Sequence, residues 1–364
     1  MIKRIYIDNF RCLVNFEWRP KQIAILLGGN GTGKTSVVDA LWLLRKLIAN
    51  QEEVRRCFPR TSLARWESRL DTTLEVDLQL GDLLYSYKLK ISHSREDLTK
   101  SRIEEESLHC GSNLLMRSTL GELHLHRDDG SAGPVVTVDW NRSALAGIAP
   151  GKDNKCLTEF KRWFREELWL LRPDPRAMSS RTDEEADELT PSMSNVASWL
   201  PTWMSQDVAG ILGVTHSLQN ALTDFLALQV SRSAPRLEAR FKLKDGTPFD
   251  LDFADLSDGQ RQLCGLYIAL HAFLQPGRLV IFDEPENYVT LREIQPWLQE
   301  VLDHSEFGQK SNVWFISHHP ELLDQLAPQH GVVFFRDQGP VRTRPFSGSD
   351  GLTPSETMAR GWDS

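Results

Sequence analysis

Gly28-Gly29-Asn30-Gly31-Thr32-Gly33-Lys34-Thr35 is the stretch on which the fold turns. It reads G-x-x-x-x-G-K-[ST] and lies between two periodic segments. Residues 22–27 before it are a buried strand by composition, and Val37, Leu41, Leu44 and Ile48 after it recur at helical spacing. Strand, glycine-rich turn and helix in that order let successive backbone N–H groups converge on phosphate oxygens, with the positive end of the helix behind them. Lys34 is placed to reach the β- and γ-phosphates of a nucleotide, and Thr35 to offer a hydroxyl to Mg²⁺. Asn30, Gly31, Thr32, Gly33 and Ser36 complete the candidate binding set. A chance glycine-rich turn would lack the flanking strand and helix.

A second stretch far along the chain belongs to the same chemistry. Leu279-Val280-Ile281-Phe282-Asp283-Glu284-Pro285 is an apolar strand that ends in two acids. Asp283 is the candidate Mg²⁺ ligand. Glu284 is the candidate base that polarises the attacking water, a role that typically contributes ~10²–10⁴-fold in rate. Alone, the same acids would serve as a helix N-cap. Phosphoryl transfer rests on positioning and charge stabilisation, so a further donor near the γ-phosphate is expected. His318, after the strand Val313-Trp314-Phe315-Ile316-Ser317, is that candidate, with His319 pointing elsewhere. Leu256-Ser257-Asp258-Gly259-Gln260 precedes an amphipathic helix. Its serine is either an ordinary N-cap or, with Gly259 and Gln260, a grip on a second ATP held by another subunit.

Composition narrows the class. The chain has 364 residues, 40% hydrophobic and 25% charged, with a net charge of −8. No apolar run approaches the ~18–20 residues of a membrane span, and residues 1–8 alternate like a strand, so a cytoplasmic location and no membrane partner are expected. The cysteines Cys12, Cys57, Cys110, Cys156 and Cys264 are scattered without a C-x-x-C pair, which fits reduced thiols. His124 and His126 share one face of a strand, read as exposed rather than metal-binding. The negative balance gives no support to nucleic-acid binding. Arg55, Arg56, Arg60, Arg65 and Arg69 form a local basic cluster that would either follow a phosphate backbone or pair with Glu52, Glu53 and Glu67.

The predicted fold class is α/β, a phosphate-loop ATPase head with appended antiparallel strands and an inserted helical module. Residues 1–154 form one ATPase lobe with the phosphate loop and a β-rich part, including a hairpin over 73–91 around Gly81-Asp82. Residues 155–235 are read as a helical insertion containing Trp163, Trp169, Trp199 and Trp203. Prolines 173, 175, 191 and 201 are expected to break any long helix there, and the acidic stretch 181–188 reads as a mobile loop. Trp199-Leu200-Pro201-Thr202-Trp203 either fills the module's own core or stands partly exposed as a docking anchor. Residues 236–345 form the second ATPase lobe, and 346–364 a C-terminal tail.

Together these residues resemble the ATP-binding-cassette ATPases of the RecF, SMC and OLD type. The opening Ile5-Tyr6-Ile7-Asp8-Asn9-Phe10-Arg11 is similar to that group's first strand and N-F-R turn. Asp283-Glu284-Pro285-Glu286-Asn287 resembles its acidic motif, and Ile316-Ser317-His318-His319-Pro320 its switch-histidine segment. The resemblance covers roughly 1–150 and 236–335. It implies an ATPase with ATP and Mg²⁺ as cofactors, Arg11 at the nucleotide, and Ser257 and Gly259 on the partner's ATP in a homodimer or higher homo-oligomer. It also implies a separately encoded effector of anti-phage or toxin type, with a RecF-like role directly on DNA or a slow-hydrolysing scaffold as alternatives. There are departures. Residues 155–230 are too short and too rich in tryptophan and proline for SMC arms. Only 45 residues follow His319, so the TOPRIM nuclease domain of OLD relatives is not expected. Tyr288-Val289-Thr290 replaces the usual leucine-histidine-proline, and no glutamine is assigned to a Q-loop.

Overall fold

A computed structural model describes residues 1–97, 100–182, 185–231, 234–305, 311–348 and 351–361. The chain divides into two compact units. One comprises Met1–Leu168, Gly277–Leu279 and Leu326–Ser364; the other comprises Trp169–Pro276 and Val280–Gln325. No helix among the described residues is long and apolar enough to cross a membrane.

The first unit opens with β1 (Ile2–Asp8), β2 (Phe16–Trp18), β3 (Ile23–Leu27), α1 (Lys34–Ala49) and the short α2 (Val54–Cys57). There follow β4 (Asp71–Leu80), β5 (Leu83–His93), β6 (Ser101–Cys110), β7 (Asn113–Thr119), β8 (Glu122–His126), β9 (Ala132–Thr137), α3 (Ala144–Gly147) and α4 (Lys155–Glu166). The alternation over 73–91 becomes the hairpin β4–β5, paired from Asp71 opposite Ser92 to Leu80 opposite Leu83, with its turn at Gly81 (φ 54°). Every second side chain of β4 goes inward. The antiparallel sheet runs β2-β1-β4-β5-β6-β7-β8-β9. Tyr85 and Tyr87 on β5 meet Phe160 of α4 at ring distances of 5.7 and 5.5 Å, and Arg45 of α1 donates to the Arg165 carbonyl at 2.8 Å. Burial of this kind stabilises by about 1.5–3 kcal/mol per large apolar side chain.

In the second unit β10 (Leu168–Leu171) leads to α5 (Val196–Gln206), α6 (Val208–Ala221), β11 (Phe225–Val230), β12 (Leu237–Lys242) and β13 (Pro248–Asp252). Then come α7 (Asp258–Phe273), β14 (Leu279–Asp283), α8 (Leu291–Asp303) and β15 (Asn312–Ile316). Strands β10, β14 and β15 are neighbours in that order, and β11, β12 and β13 form a separate antiparallel sheet. Helix α9 (Pro320–His330) begins in the second unit and ends in the first, followed there by β16 (Gly331–Arg336), β17 (Val341–Pro345) and α10 (Pro354–Ala359). β16 pairs parallel with β3 and antiparallel with β17.

Two expectations about residues 155–235 change. The segment is not one helical body. The apolar face of α4, with Leu157, Phe160, Trp163 and Phe164 buried, belongs to the first unit, whereas α5, α6 and β11 belong to the second. Of the two alternatives for Trp199-Leu200-Pro201-Thr202-Trp203, burial is the one observed, partly against α7. Trp199 and Trp203 are 7% and 8% exposed and stack on each other at 5.5 Å, while Trp199 also stacks on Phe273 of α7 at 5.5 Å. Pro201 sits inside α5 instead of ending it. One lost backbone hydrogen bond is outweighed by two indoles packed on the same helix. Of the acidic stretch 181–188, Asp183 and Glu184 lie outside the described residues.

Candidate nucleotide-binding site

In the first unit the chain leaves β3 at Gly28 and enters α1 at Lys34. Gly28 has φ 127°, and a Cβ there would lie 2.2 Å from the Phe334 carbonyl oxygen, so only glycine fits. Gly33, the N-cap of α1, has φ 96° and no side-chain cap bond. No cap side chain therefore competes for the first-turn N–H groups of α1. Lys34 is buried, and its Nζ donates to the carbonyls of Gly28 and, at 3.1 Å, Gly29. Thr32 Oγ1 donates to the Gly29 carbonyl at 2.8 Å, and Thr35 is exposed. Cβ atoms built on Gly29 or Gly31 would meet nothing within 4 Å, so this side of the loop has room for a ligand. Asn30 is exposed at the same rim. Ser36 accepts from Cys12 Sγ at 3.7 Å. Uncapped amides, an ammonium and a free hydroxyl around open space are a donor set that fits a phosphate chain, and the hard Thr35 oxygen suits Mg²⁺.

The N-terminal turn braces the neighbouring loop. Asn9 is buried at φ 59°; its Nδ2 donates to the carbonyls of Arg69 and Asp71 at 3.0 and 2.8 Å, and its Oδ1 accepts from Ala64 N at 3.1 Å. Asp8 takes two hydrogen bonds from Arg69, and Arg69 holds its carboxyl below the usual range against the effect of burial. Arg11, expected at the nucleotide, pairs with Asp39 of α1 and is 42% exposed at its side chain.

In the second unit Asp283 ends β14 and accepts from Nε of Arg172, whose own N–H donates to the Pro191 carbonyl at 2.7 Å. Glu284 follows with φ 53°, an uncommon conformation for a non-glycine residue. Its N–H donates to the Ile316 carbonyl at 2.8 Å, and its exposed carboxylate accepts from Asn287 Nδ2 at 2.9 Å. Glu286 turns the other way. It is buried, and its Oε1 accepts from Ser317 Oγ at 2.7 Å and His318 N at 3.3 Å. His318 is exposed, whereas His319 Nδ1 accepts from Glu321 N at 3.3 Å and caps α9.

Ser257 and Gln260 form a capping box at the start of α7: Ser257 Oγ accepts from Gln260 N at 3.3 Å and Gln260 Oε1 accepts from Ser257 N at 3.0 Å. A Cβ on Gly259 would lie 3.0 Å from the Tyr288 carbonyl. Buried Gln262 donates to the Pro285 carbonyl at 2.9 Å, tying α7 to the acidic turn. The second unit thus brings Ser257, Gly259, Gln260, Asp283, Glu284 and His318 onto one set of linked turns, and the first brings together Arg11 and residues 30–36.

Sequence reasoning passed over Arg172, Gln262 and Arg336 as site residues. Arg172 lies 111 positions from Asp283 and in no motif, so nothing local marks it. Three arginines of the basic cluster pair with acids, Arg55 with Glu53, Arg56 with Glu52, and Arg69 with Asp8 and Glu67, while Arg60 donates to the Arg95 carbonyl. Among the described residues no group of three or more His, Cys, Asp or Glu side chains could hold a metal, and the five cysteines are free.

Residues 141–324 match the family model described as "AAA domain, putative AbiEii toxin, Type IV TA system", and residues 1–107 match that of an AAA ATPase domain. No curated protein matches the chain. Among solved structures, an SMC head bound to the C-winged helix domain of ScpA is similar with a TM-score of 0.54 at 11% identity. That match covers 96% of this chain and 99% of the other. The SMC head domain from Thermotoga maritima follows at 0.49 and 11%, covering 95% and 99%. The first of these likenesses supports an α/β head fold with antiparallel sheets, and at such identity it speaks to fold alone.

Proposed function

We propose that this chain, which belongs to the AAA domain family matched over residues 141–324, binds ATP with Mg²⁺, hydrolyses it, and uses the bound nucleotide to pair with a second copy and control a separate effector. The observation that carries the reading is the division of labour at the acidic turn. The left-handed backbone of Glu284 sends its carboxylate outward, while Glu286 turns inward onto Ser317. An exposed, backbone-fixed acid immediately after a strand-end carboxylate is what a water-polarising base requires.

In this reading the loop amides from Asn30 to Gly33 and the Lys34 ammonium hold the phosphates. Ser36 and Arg11 lie at the flank, and Thr35 and Asp283 hold Mg²⁺. Mg²⁺, when bound, neutralises charge on the phosphate oxygens. Glu284 orients the attacking water and accepts its proton at the carboxylate. His318 donates toward the terminal phosphate, and Ser257, Gly259 and Gln260 meet the nucleotide of a second copy. Asp283, paired with Arg172 here, would need to turn a carboxylate oxygen to the metal to hold it. The family description joins the AAA domain to a "putative AbiEii toxin, Type IV TA system", which supports a defence role; control of a separately encoded nuclease or toxin is the further step proposed here. The alternative of direct action on DNA draws less support, because most of the basic cluster is paired to acids.

Glu284→Gln is expected to keep ATP affinity and lose at least ~10²-fold in turnover, while Lys34→Ala loses ATP binding. Equal ATPase rates for wild type and Glu284→Gln would remove the assignment.

A further inference from the structure

Among the exposed aromatic side chains, some stand on turns that the fold braces by hydrogen bonds. Trp66 is the outstanding case. It is 49% exposed, which is uncommon for the largest apolar side chain. It is also not on a loose loop. Glu67 N donates to the Ala64 carbonyl at 3.1 Å, closing a turn over 64–67. Asn9 pins both sides of that turn, through Ala64 N and the Arg69 carbonyl, and Arg11 N donates to the Ser62 carbonyl at 2.5 Å. Asp8 and Glu67 clamp Arg69 at its far end. The opening motif Asp8-Asn9-Phe10-Arg11 therefore does more than end a strand: it fixes the turn that presents Trp66.

The indole is also placed relative to the phosphate loop. Arg336, at the end of β16, lies with its guanidinium 5.6 Å from the centre of the Trp66 ring. The same guanidinium donates from Nε and Nη2 to the Gly31 carbonyl at 3.1 and 2.8 Å. Arg336 thus bridges the apex of the loop and the aromatic ring, all within the first unit. Gly31 carries its carbonyl outward to Arg336, which leaves the loop amides for the phosphates.

We propose that Trp66 is the platform on which the base of the bound nucleotide stacks, with Arg336 fixing the ring at a set distance from the phosphate loop. This rests on the nucleotide reading above and extends it to the base. A rigid, half-open indole offers a π-face to any planar heterocycle, and such stacking is worth enough to change affinity by about tenfold or more. The ligand class is a purine nucleoside triphosphate, which carries both a phosphate chain for the loop and a large ring for Trp66.

Binding of Mg-ATP and of Mg-tripolyphosphate, which has no base, tests this by calorimetry on the full chain. Wild type should bind ATP more tightly than tripolyphosphate. Trp66→Ala should weaken ATP by about tenfold and leave tripolyphosphate unchanged, and Trp66→Phe should keep most of the ATP affinity. Lys34→Ala should lose both ligands. ATP should change the tryptophan fluorescence of wild type and not that of Trp66→Phe, a readout that survives if the alanine variant fails to fold. Unchanged ATP affinity in Trp66→Ala, or equal loss of both ligands, would overturn the platform while leaving the nucleotide reading standing. Failure of wild type to bind either ligand would overturn both.

Discussion

At the scale of single residues, the phosphate loop shows how tightly a motif can be specified by space. Gly28 and Gly29 are adjacent, yet their surroundings differ. A Cβ on Gly28 would run into backbone at 2.2 Å from the Phe334 carbonyl oxygen, in a left-handed conformation that L side chains resist. A Cβ on Gly29 would meet nothing within 4 Å. Gly28→Ala is therefore expected to displace the loop and weaken ATP binding by well over tenfold, whereas Gly29→Ala stays within about threefold of wild type. Titration with ATP checks both, and equal losses would mean that chain entropy, not the Phe334 contact, governs the loop. The spacing G-x-x-x-x-G-K-T was legible without coordinates because the chemistry is local. Which of its glycines is irreplaceable was not, since the decisive atom belongs to residue 334. Arg172 at Asp283 was hidden for the same reason: an arginine carries no signature until the fold brings it to its acid.

At the scale of elements, period decided most of what could be read. The two-residue alternation of β4 and β5 and the helical spacing of α1 matched observed bounds within a few residues. Prolines misled: position 201 forecast a break and lies within α5, because indole packing on Phe273 overrides a single lost hydrogen bond. A buried polar cluster linking β4, β5 and β6 was invisible to period altogether. His93 is buried, with Nε2 3.1 Å from Thr72 Oγ1 and Nδ1 2.9 Å from Ser101 Oγ. Burial first, and then the charge of Arg60, push its pKa down to about 4. The folded histidine stays neutral where the unfolded one, near 6.5, takes a proton. Its contribution is thus complete above about pH 6.5 and is lost progressively as pH falls to about 4. Between pH 7 and pH 5 that linkage amounts to about 2 kcal/mol. Urea unfolding of His93→Gln should show a shallower fall in stability over this range than wild type, even if the variant is weaker at pH 7. His271 in the second unit, lowered to about 4 by burial and then by the nearby His304 charge, supplies a residual slope common to both proteins. Parallel pH profiles for the two proteins would show that His93 does not titrate with unfolding.

At the scale of the whole molecule, the division of the chain was the least legible feature. Texture placed a boundary near residue 155, but α4 and residues 277–279 belong with the phosphate loop, and long-range packing of this kind leaves no mark in a local window. The function of α7 raises the remaining question, because its capping box already takes the Gln260 N–H and leaves the earlier first-turn N–H groups uncapped. Ser257 is exposed, its capping box with Gln260 fixes the first turn, and Gly259 keeps the approach narrow beside the Tyr288 carbonyl. The positive end of the helix favours an anion, and in the function proposed above a second copy of the chain would bring one in its bound nucleotide. A two-fold pair in which each copy places α7 on the other's ATP closes without open ends. Light scattering of Glu284→Gln with ATP should therefore give twice the mass found without nucleotide, since the bridging ATP is not hydrolysed. Ser257→Arg should fold and bind ATP through the phosphate loop as wild type does, but lose at least about tenfold in ATPase rate, because a bulky side chain at the N-cap holds the second nucleotide away. If the mass is the same with and without ATP and Ser257→Arg hydrolyses normally, the capping box is only a helix start. A pair that persists without ATP through some other surface would mask the change in mass, and the Ser257→Arg rate would then decide.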